Sequence, residues 1–190
     1  MQNTPDMQKI KLHDKVFRYF IPNERLEEAI DRVAAKINDD YRDSGTVPIL
    51  LCVLNGSILF TAELMKRLEF DVDLMSIKLS SYVGTSSTGD VRTEMGLTGD
   101  VTGKEVIIVE DIVDTGRTIE NLVNILQARR ASKVKVCTML LKPEMYKKDV
   151  KLDYVAMEIP DDFIVGFGLD YDASAGTTRT SIYWTTNKRT

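Results

Sequence analysis

Hydrophobic and polar positions follow two patterns along the chain, and each pattern predicts one kind of element. Apolar runs of four to eight residues, rich in β-branched side chains, predict strands that are buried on both faces. Segments in which apolar residues recur every three or four positions predict amphipathic helices. The apolar runs place strands at residues 47–54, 72–79, 106–109, 134–141 and 154–159.

Three helices are predicted beside these strands. The first follows Pro22, and Asn23 is expected to cap its start. The second opens at the turn 55–57, and the third begins near Ile119 and ends near Arg130. The predicted apolar faces are Leu26, Ile30, Val33, Ile37 and Tyr41 in the first helix, Ile58, Ala62, Met65 and Leu68 in the second, and Ile119, Leu122 and Leu126 in the third.

The alternation of strands and helices decides the fold class. Helices that connect neighbouring parallel strands cover both faces of a sheet. We therefore predict an α/β fold with a doubly wound, mainly parallel sheet that is flanked by helices. Because no repeat or linker is visible, residues 1–190 are predicted to form a single domain.

A glycine-rich segment interrupts the pattern between Gly84 and Gly103. It holds five of the eleven glycines of the chain, mixed with Ser, Thr and Asp. In a compact domain such a segment is either a lid or a disordered connection. We favour a lid, because the segment directly precedes a strand that ends on acidic residues.

Composition and charge limit the classes of protein to which this chain can belong. The 190 residues are 43% hydrophobic, enough for one domain with a core. Lys and Arg total 25 against 29 Asp and Glu, and the net charge of -4 favours binding neither to nucleic acid nor to an anionic membrane. The longest apolar run, residues 49–54, is too short to span a bilayer, and the polar start MQNTPDMQK does not resemble a signal peptide. We expect a cytoplasmic protein.

The chain contains few histidine and cysteine residues. The only histidine, His13, lies in a polar segment, which argues against histidine-based triads and multi-histidine zinc sites. Cys52 and Cys137 both lie in predicted strands, so we expect reduced, buried thiols. Catalysis would then depend on carboxylates, lysine, backbone amides or a hard cation.

The stretch VIIVEDIVDTGRT, residues 106–118, carries the densest chemistry. Its apolar run ends on three carboxylates within five residues, Glu110, Asp111 and Asp114, and a small polar turn follows before the third helix. Open α/β folds bind ligands at the carboxyl edge of the sheet, where such a strand end lies. A Walker A loop would need glycine at Asp111, and the dinucleotide fingerprint would need a third glycine at Tyr171, so both motifs are rejected.

The residue types leave several interpretations open. The helix start, with free N–H groups and threonine hydroxyls, suits a phosphate. The acids suit sugar hydroxyls, which donate hydrogen bonds, or a hydrated Mg²⁺, but they are also compatible with simple solvation at a strand end. The turn 55–57 is similarly either a second anion site or an ordinary turn.

A family resemblance decides among these interpretations. The stretch 106–118 resembles the phosphoribosyl pyrophosphate motif of the type I phosphoribosyltransferases. Four further segments resemble the hypoxanthine and hypoxanthine-guanine members: LCVLNGS at 51–57, SSY at 80–82 with STGD at 87–90, LLK ending at Lys142, and IPDDFIVGFGLDY at 159–171. The resemblance extends from about Leu12 to Tyr171. It implies a core of about 26–160 and a small hood subdomain built from about 1–22 and 160–190.

The resemblance implies a role for each matched residue. Glu110 and Asp111 would hold the ribose hydroxyls, and Asp114 would accept the proton of purine N7. Asn55 and Gly56 would bind pyrophosphate, in a loop where the family often has a cis peptide before the residue matching Asn55. The remaining roles implied are 5′-phosphate binding by Thr115, Gly116, Arg117 and Thr118, purine binding by Lys142, Phe163 and Ile164, a mobile loop with Ser81 and Tyr82, and Mg²⁺ binding by Asp170 together with Glu110 and Asp111.

The activity implied by the resemblance is purine salvage. The 5-phosphoribosyl group of phosphoribosyl pyrophosphate would be transferred to N9 of hypoxanthine or guanine, giving IMP or GMP and pyrophosphate with Mg²⁺. The resemblance also implies a homodimer or homotetramer and leaves the preference among hypoxanthine, guanine and xanthine open. The alternative is a regulator on the same fold that senses phosphoribosyl pyrophosphate and binds RNA or DNA, although the charge of -4 does not suggest a basic face.

The sequence departs from the family after Tyr171. Relatives usually continue with an aromatic residue, Arg, Asn and Leu, and the arginine reaches pyrophosphate. Here residues 172–181 read DASAGTTRTS, so that Thr177 stands at the expected position of the arginine and Arg179 follows two residues later.

Overall fold

The structure, a computed structural model, describes residues 9–12, 15–81, 91–169 and 182–185. Its strands are β1 (Lys9–Leu12), β2 (Lys15–Ile21), β3 (Ile49–Leu54), β4 (Asp73–Ser81), β5 (Val91–Met95), β6 (Glu105–Val113), β7 (Lys133–Leu141), β8 (Tyr154–Glu158), β9 (Phe163–Val165) and β10 (Ile182–Thr185). Its helices are α1 (Asn23–Tyr41), α2 (Ile58–Met65) and α3 (Arg117–Ala128). None of these described helices is long and apolar enough to cross a membrane.

The larger sheet has six strands in the order β5-β4-β3-β6-β7-β8. Five of these strands pair in parallel, in the order β4-β3-β6-β7-β8. The sixth, β5, pairs antiparallel with β4 at one edge. The middle strand β6 is bonded on both sides, with Val106 opposite Ile49 of β3 and Val134 of β7. This position explains the β-branched run of β6, because a strand inside a parallel sheet is buried on both faces.

Helices cover both faces of this sheet. On one face, Ile30 of α1 and Phe60 of α2 belong to the same buried cluster as Ile107 of β6. On the other face, Leu122 of α3 shares a second cluster with Ile108. Successive residues of a strand point to opposite faces, so Ile107 and Ile108 contribute to different layers. The predicted doubly wound sheet is therefore confirmed.

A smaller antiparallel sheet joins segments from both ends of the chain. Its strand order is β1-β2-β10-β9, so the first strands pair with the last ones. Phe17, Val165 and Ile182 are fully buried within it. We call this sheet the hood; it brings described strands from the two terminal segments together in a second sheet.

The prediction for the start of α1 is wrong by one residue. Asn23 is the first helical residue and Pro22 occupies the cap position, with φ of -62° and ψ of 150°. The carbonyl of Pro22 accepts the N–H of Leu26 at 3.2 Å, while the side-chain amide of Asn23 donates to Glu27 Oε1 at 2.7 Å. Proline suits this place, because it has no N–H to satisfy and its φ is fixed near the required value.

The predicted inner face of α2 is wrong at three of its four positions; the fourth, Leu68, is half-buried and packs against the core. Ile58, Ala62 and Met65 are exposed, and the buried residues are Phe60, Thr61 and Leu64. The helix has eight residues, ILFTAELM, and nearly all are apolar, so the sequence offers no polar stripe that would mark the outer face. Tertiary packing decides which face of α2 is buried, since Phe60 and Leu64 belong to the core cluster on one face of the sheet.

Strand β6 is longer than its apolar run. The sequence predicts that the strand stops before Glu110, but pairing with β7 continues through Val113, which lies opposite Leu141. Backbone hydrogen bonds form regardless of side-chain charge, and β7 offers a partner along this length. The first two acids are therefore held by a strand, and the turn begins only at Asp114.

Both cysteines are free and buried, as predicted. Cys52 of β3 and Cys137 of β7 lie on either side of Val109 in the register of the sheet. Burial also raises the pKa of the Cys137 thiol, so that this thiol stays protonated.

A polar cluster ties the end of α1 to the amino edge of the sheet. Lys135 Nζ lies 2.6 Å from Asp40 Oδ2 and donates to the Tyr154 hydroxyl at 2.7 Å, and that hydroxyl donates to Asp40 at 2.5 Å. The ammonium also lies 4.6 Å from the ring centroid of Tyr41. We call Asp40, Tyr41, Lys135 and Tyr154 the amino-edge cluster. The hydrogen bonds from Lys135 and Tyr154 lower the pKa of Asp40.

Candidate active site

Four segments with predicted or charged site residues meet at the carboxyl edge of the main sheet. The parallel strands β3, β6, β7 and β8 all end there, and the segments that follow them contain Asn55, Asp114, Lys142 and Asp161 respectively. In open α/β sheets this edge is where ligands bind. The fold therefore brings together residues that lie far apart in the sequence.

Glu110 is a buried acid with an unsatisfied oxygen. The residue is 8% exposed, and its Oε2 has no hydrogen-bond partner among the described residues. Burial raises the pKa of Glu110 well above its ordinary value, and the neighbouring charge of Asp111 acts in the same direction. A buried carboxylate oxygen without a donor is unfavourable, so this position is suited to a ligand that donates hydrogen bonds.

Asp111 lies against the backbone of the β3–α2 turn. Its Oδ1 accepts the N–H of Ile112 at 2.7 Å. A Cβ atom added to Gly56 would overlap the Asp111 carboxyl group, and one added to Gly168 would come within 2.6 Å of the carbonyl oxygen of Gly56. Three segments of the chain thus stack closely here, and the contact requires glycine. The peptide bond between Leu54 and Asn55 is cis, which confirms the expectation from the family.

The predicted phosphate turn lies at the start of α3. Gly116 adopts a left-handed conformation with φ of 81°, and the helix begins at Arg117. Thr115 and Arg117 are exposed, and Thr118 is half-buried. The first N–H groups of a helix have no acceptor within the helix and carry its positive dipole end, so this turn can bind an anion.

Tyr146 supports this turn from behind and was missed by the sequence analysis. Its ring occupies the space where a Cβ atom of Gly116 would lie, and its hydroxyl donates to the carbonyl of Val150. Lys148, two residues later, pairs with Glu120 of α3 at 2.6 Å. The segment after β7 therefore braces the turn.

Lys142 lies between two carboxylates. Its Nζ is 3.4 Å from Asp114 Oδ2 and 3.3 Å from Asp161 Oδ1, and the lysine is buried. The other oxygen of Asp114, Oδ1, is buried without a hydrogen-bond partner among the described residues. The structure thus places the predicted base-binding cation beside the predicted proton acceptor, and it adds Asp161, which the sequence analysis did not single out.

The two other predicted purine-binding residues belong to the hood. Phe163 and Ile164 are in β9; Phe163 is half-buried, with its ring centroid 6.0 Å from that of Phe17, and Ile164 is 6% exposed. Asp161 precedes Phe163 by two residues and contacts Lys142. The segment between β8 and β9 therefore links Lys142 to the hood.

Some predicted residues lie outside the described part of the chain. These are Tyr82 of the mobile loop, Asp170 of the metal site, and the unusual segment 172–181 with Thr177 and Arg179. Ser81 is described as a strand residue, opposite Val91 of β5.

Only part of a metal site is present in the described residues. They contain no group of three or more His, Cys, Asp or Glu side chains arranged to hold an ion. Glu110 and Asp111 nevertheless supply hard oxygen donors, and one of the Glu110 oxygens is unsatisfied. This donor set fits Mg²⁺, which commonly takes one or two carboxylates and completes its shell with water and substrate phosphates.

Comparison with known proteins agrees with this geometry. Residues 21–172 match the model of the phosphoribosyl transferase domain. A hypoxanthine-guanine phosphoribosyltransferase of Streptococcus pneumoniae is 37% identical over 161 residues, which cover 84% of this chain and 88% of the relative.

Solved structures of related enzymes have the same fold. A hypoxanthine-guanine phosphoribosyltransferase of Bacillus anthracis, crystallised with HEPES in its active site, has a TM-score of 0.81 and 35% identity over 88% of this chain and 97% of its own. A hypoxanthine phosphoribosyl transferase of Trypanosoma cruzi, solved in work on its C-terminal region, has a TM-score of 0.82 and 32% identity, covering 93% of each chain. The chain therefore belongs to the phosphoribosyl transferase family, among the hypoxanthine-guanine phosphoribosyltransferases, as its motifs predicted.

Proposed function

We propose that this protein is a purine-salvage enzyme that transfers the 5-phosphoribosyl group of phosphoribosyl pyrophosphate to N9 of hypoxanthine or guanine. The products are IMP or GMP and pyrophosphate. The observation that carries the proposal is the placement of Lys142 Nζ 3.4 Å from Asp114 Oδ2. This arrangement puts a cation that suits a 6-oxo group beside a carboxylate that suits a purine proton.

The sugar phosphate is assigned to β6 and the start of α3. Glu110 and Asp111 accept hydrogen bonds from the ribose hydroxyls, which satisfy the orphaned Oε2 of Glu110. The 5′-phosphate binds the N–H groups and hydroxyls of Thr115, Gly116, Arg117 and Thr118. Pyrophosphate binds at Asn55 and Gly56, in the turn that lies against Asp111.

The base is assigned to Lys142, Phe163 and Ile164. Lys142 donates to the 6-oxo group, Phe163 stacks on the ring, and the backbone of Ile164 meets the edge with N1 and the 2-substituent. As N9 bonds to the ribose carbon and the pyrophosphate leaves with the bonding electrons, Asp114 accepts the proton from N7. The negative charge of Asp114 also stabilises the cationic character of the ribosyl group in the transition state.

Mg²⁺ and a mobile loop complete the proposed site. Glu110, Asp111 and Asp170 are the residues that we assign to the ion. Bound Mg²⁺ would neutralise charge on the pyrophosphate oxygens. We assign Ser81, Tyr82 and the glycine-rich segment to a loop that covers the site and excludes water, which prevents hydrolysis of the activated sugar.

The assembly and location of the protein are further proposals. We propose a homodimer or homotetramer, because Ile58 and Leu59 of α2 are 47% and 41% exposed and form an apolar surface. Sedimentation analysis tests this assembly. We propose that the whole chain acts as a single domain in the cytoplasm, where its two unpaired cysteines would stay reduced.

The test of the activity supplies the protein with phosphoribosyl pyrophosphate, Mg²⁺ and one purine base at a time, and separates the products by chromatography. We expect IMP from hypoxanthine and GMP from guanine. Adenine should give no product, because an ammonium group only donates hydrogen bonds and cannot accept one from a 6-amino group. Absence of product with every base would contradict the proposal.

The variant Asp114→Asn tests the chemical role within the same assay. It keeps the shape of the side chain and removes the proton acceptor, so we expect kcat to fall by about 10²-fold or more. If the variant retained a rate within about tenfold of the parent, Asp114 would not be the general base.

The alternative function is a nucleic-acid-binding regulator. It predicts that the protein binds phosphoribosyl pyrophosphate without forming any nucleotide product. The relatives reported above, in contrast, are named as enzymes.

A further inference from the structure

Lys142 is held at nearly equal distances by two carboxylates from different elements. Its Nζ lies 3.3 Å from Asp161 Oδ1 and 3.4 Å from Asp114 Oδ2. Both distances exceed the about 2.7–2.9 Å that is usual for a charge-assisted hydrogen bond between an ammonium and a carboxylate. The ammonium is therefore shared between the two acids and is not closely bound to either.

The surroundings make this balance important. The Lys142 side chain is 9% exposed and that of Asp161 is 25% exposed, so water screens their attraction only weakly. Asp114 is more open, with 46% exposure of its side chain. A lysine ammonium is a compact charge on a flexible stem, and beside a single carboxylate it would move into direct contact.

The backbone around Asp161 is well fixed. Just before it, the N–H of Ile159 donates to the carbonyl of Leu141 at 2.8 Å, and just after it the N–H of Asp162 donates to the carbonyl of Pro160 at 2.8 Å. Leu141 is the residue directly before Lys142. The segment that carries Asp161 is thus anchored to the end of β7, beside Lys142.

We propose that Asp161 is a positioning residue for base recognition, on the basis of the function proposed above. Its carboxylate holds the Lys142 ammonium away from Asp114. Lys142 can then donate to the 6-oxo group of the purine, and Asp114 remains able to accept the N7 proton. Without the charge of Asp161, the ammonium pairs closely with Asp114, which weakens both base binding and proton transfer.

The test compares Asp161→Asn with Asp162→Asn, in the complete chain with Mg²⁺. The substitution at Asp161 keeps the size of the side chain and removes its charge. Asp162 is the neighbouring acid and forms no ion pair among the described residues, so it is a matched control. For Asp161→Asn we expect kcat/KM for hypoxanthine to fall by about tenfold or more, while KM for phosphoribosyl pyrophosphate stays within about twofold of the parent. Asp162→Asn should match the parent.

A double variant separates positioning from a general structural role. If Asp161 acts through the ammonium, adding Asp161→Asn to Lys142→Gln should cause little further loss with hypoxanthine. Losses that multiply in the double variant would overturn the inference. So would an Asp161→Asn variant that equals the parent, or one that weakens hypoxanthine and phosphoribosyl pyrophosphate alike and lowers the melting temperature.

The parent protein distinguishes this inference from the proposed function. If the parent makes no IMP, the function and the inference that rests on it both fail. If the parent makes IMP and Asp161→Asn does so with unchanged constants, only the role of Asp161 is wrong. Partial recovery of kcat/KM in Asp161→Glu, which restores the charge on a longer side chain, would support the role of that charge.

Discussion

At the scale of single residues, the tight packing in the site depends on the absence of a side chain at Gly56. Gly56 places its Cα beside the Asp111 carboxyl group, and a methyl group there would overlap it. In Gly56→Ala either the turn after β3, which we propose binds pyrophosphate, or Asp111 must shift. We expect kcat/KM for phosphoribosyl pyrophosphate to fall by roughly 10²-fold, since displacements of about 1 Å have such effects.

A second glycine provides the control for this prediction. A Cβ atom added to Gly45, in the turn between α1 and β3, meets no atom within 4 Å. Its φ of 67° makes Gly45→Ala a strained substitution that lowers stability, but kcat/KM of the folded variant should match that of the parent in the same steady-state assay. A kcat/KM for Gly56→Ala close to that of Gly45→Ala would mean that the contact with Asp111 does not affect function.

Glu110 makes stability depend on pH at the same scale. Burial raises its pKa above the ordinary value of 4.5, so between these two pKa values the folded chain holds a proton that the unfolded chain releases. The stability contributed by this group is present below about pH 4.5 and is lost as the pH rises through the folded pKa. Glu110→Gln removes this loss, because an amide does not ionise.

We therefore expect Glu110→Gln to raise the unfolding free energy at pH 8, and the gain to shrink towards pH 4.5. Urea unfolding in Mg²⁺-free buffer measures it. The exposed Glu144 offers the control Glu144→Gln, for which little change is expected. A gain that does not vary with pH, or a loss at pH 8, would contradict the assignment of burial as the cause.

At the scale of elements, the segment after β7 braces the start of α3. The Tyr146 ring packs where a Gly116 side chain would be, and the Tyr146 hydroxyl reaches Val150. Tyr146→Ala leaves a space behind the turn that we propose binds the 5′-phosphate, and we expect KM for phosphoribosyl pyrophosphate to rise about tenfold because the turn is held less firmly. Tyr146→Phe keeps the ring and should stay near the parent. Equal KM values for the two variants would show that the ring does not brace the turn.

The helices differ in how well the sequence predicts them. In α3, Ile119, Leu122 and Leu126 recur at spacings of three and four residues, so this spacing predicts the buried face. In α2 the residues are almost all apolar, and tertiary packing decides that Phe60 faces inward and Ile58 outward. The extension of β6 past Glu110 likewise depends on its neighbour β7, which a local pattern does not contain.

The sequence likewise predicts one part of the candidate site and not another. Glu110, Asp111 and Asp114 lie within five residues, and a buried strand followed by acids and a small turn indicates a ligand site from chemistry alone. Their separate roles came from family resemblance. Asp161 and Lys142 are 19 residues apart and follow two neighbouring strands. Neither the periodicity nor the composition of the sequence predicts that they are in contact.

At the scale of the whole molecule, the main sheet has well-paired polar groups at one edge and the candidate site at the other. Its amino edge carries the amino-edge cluster, in which Lys135 is paired and largely buried. Its carboxyl edge carries buried oxygens that lack partners among the described residues, on Glu110 and Asp114. Proteins commonly tolerate unfavourable groups at functional sites because the rest of the fold compensates. Here the two kinds of group lie at opposite edges of the sheet, on neighbouring strands.

The two buried thiols have a practical consequence. Cys52 and Cys137 are the only cysteines of the chain, and both lie opposite Val109, the residue directly before Glu110. A thiol reagent can reach them only when the strands beside β6 separate, since both are buried. Their rate of labelling therefore reports local opening next to Glu110 and Asp111 without any engineered probe. Slower labelling in the presence of substrate would measure directly how much ligand binding tightens the centre of the sheet.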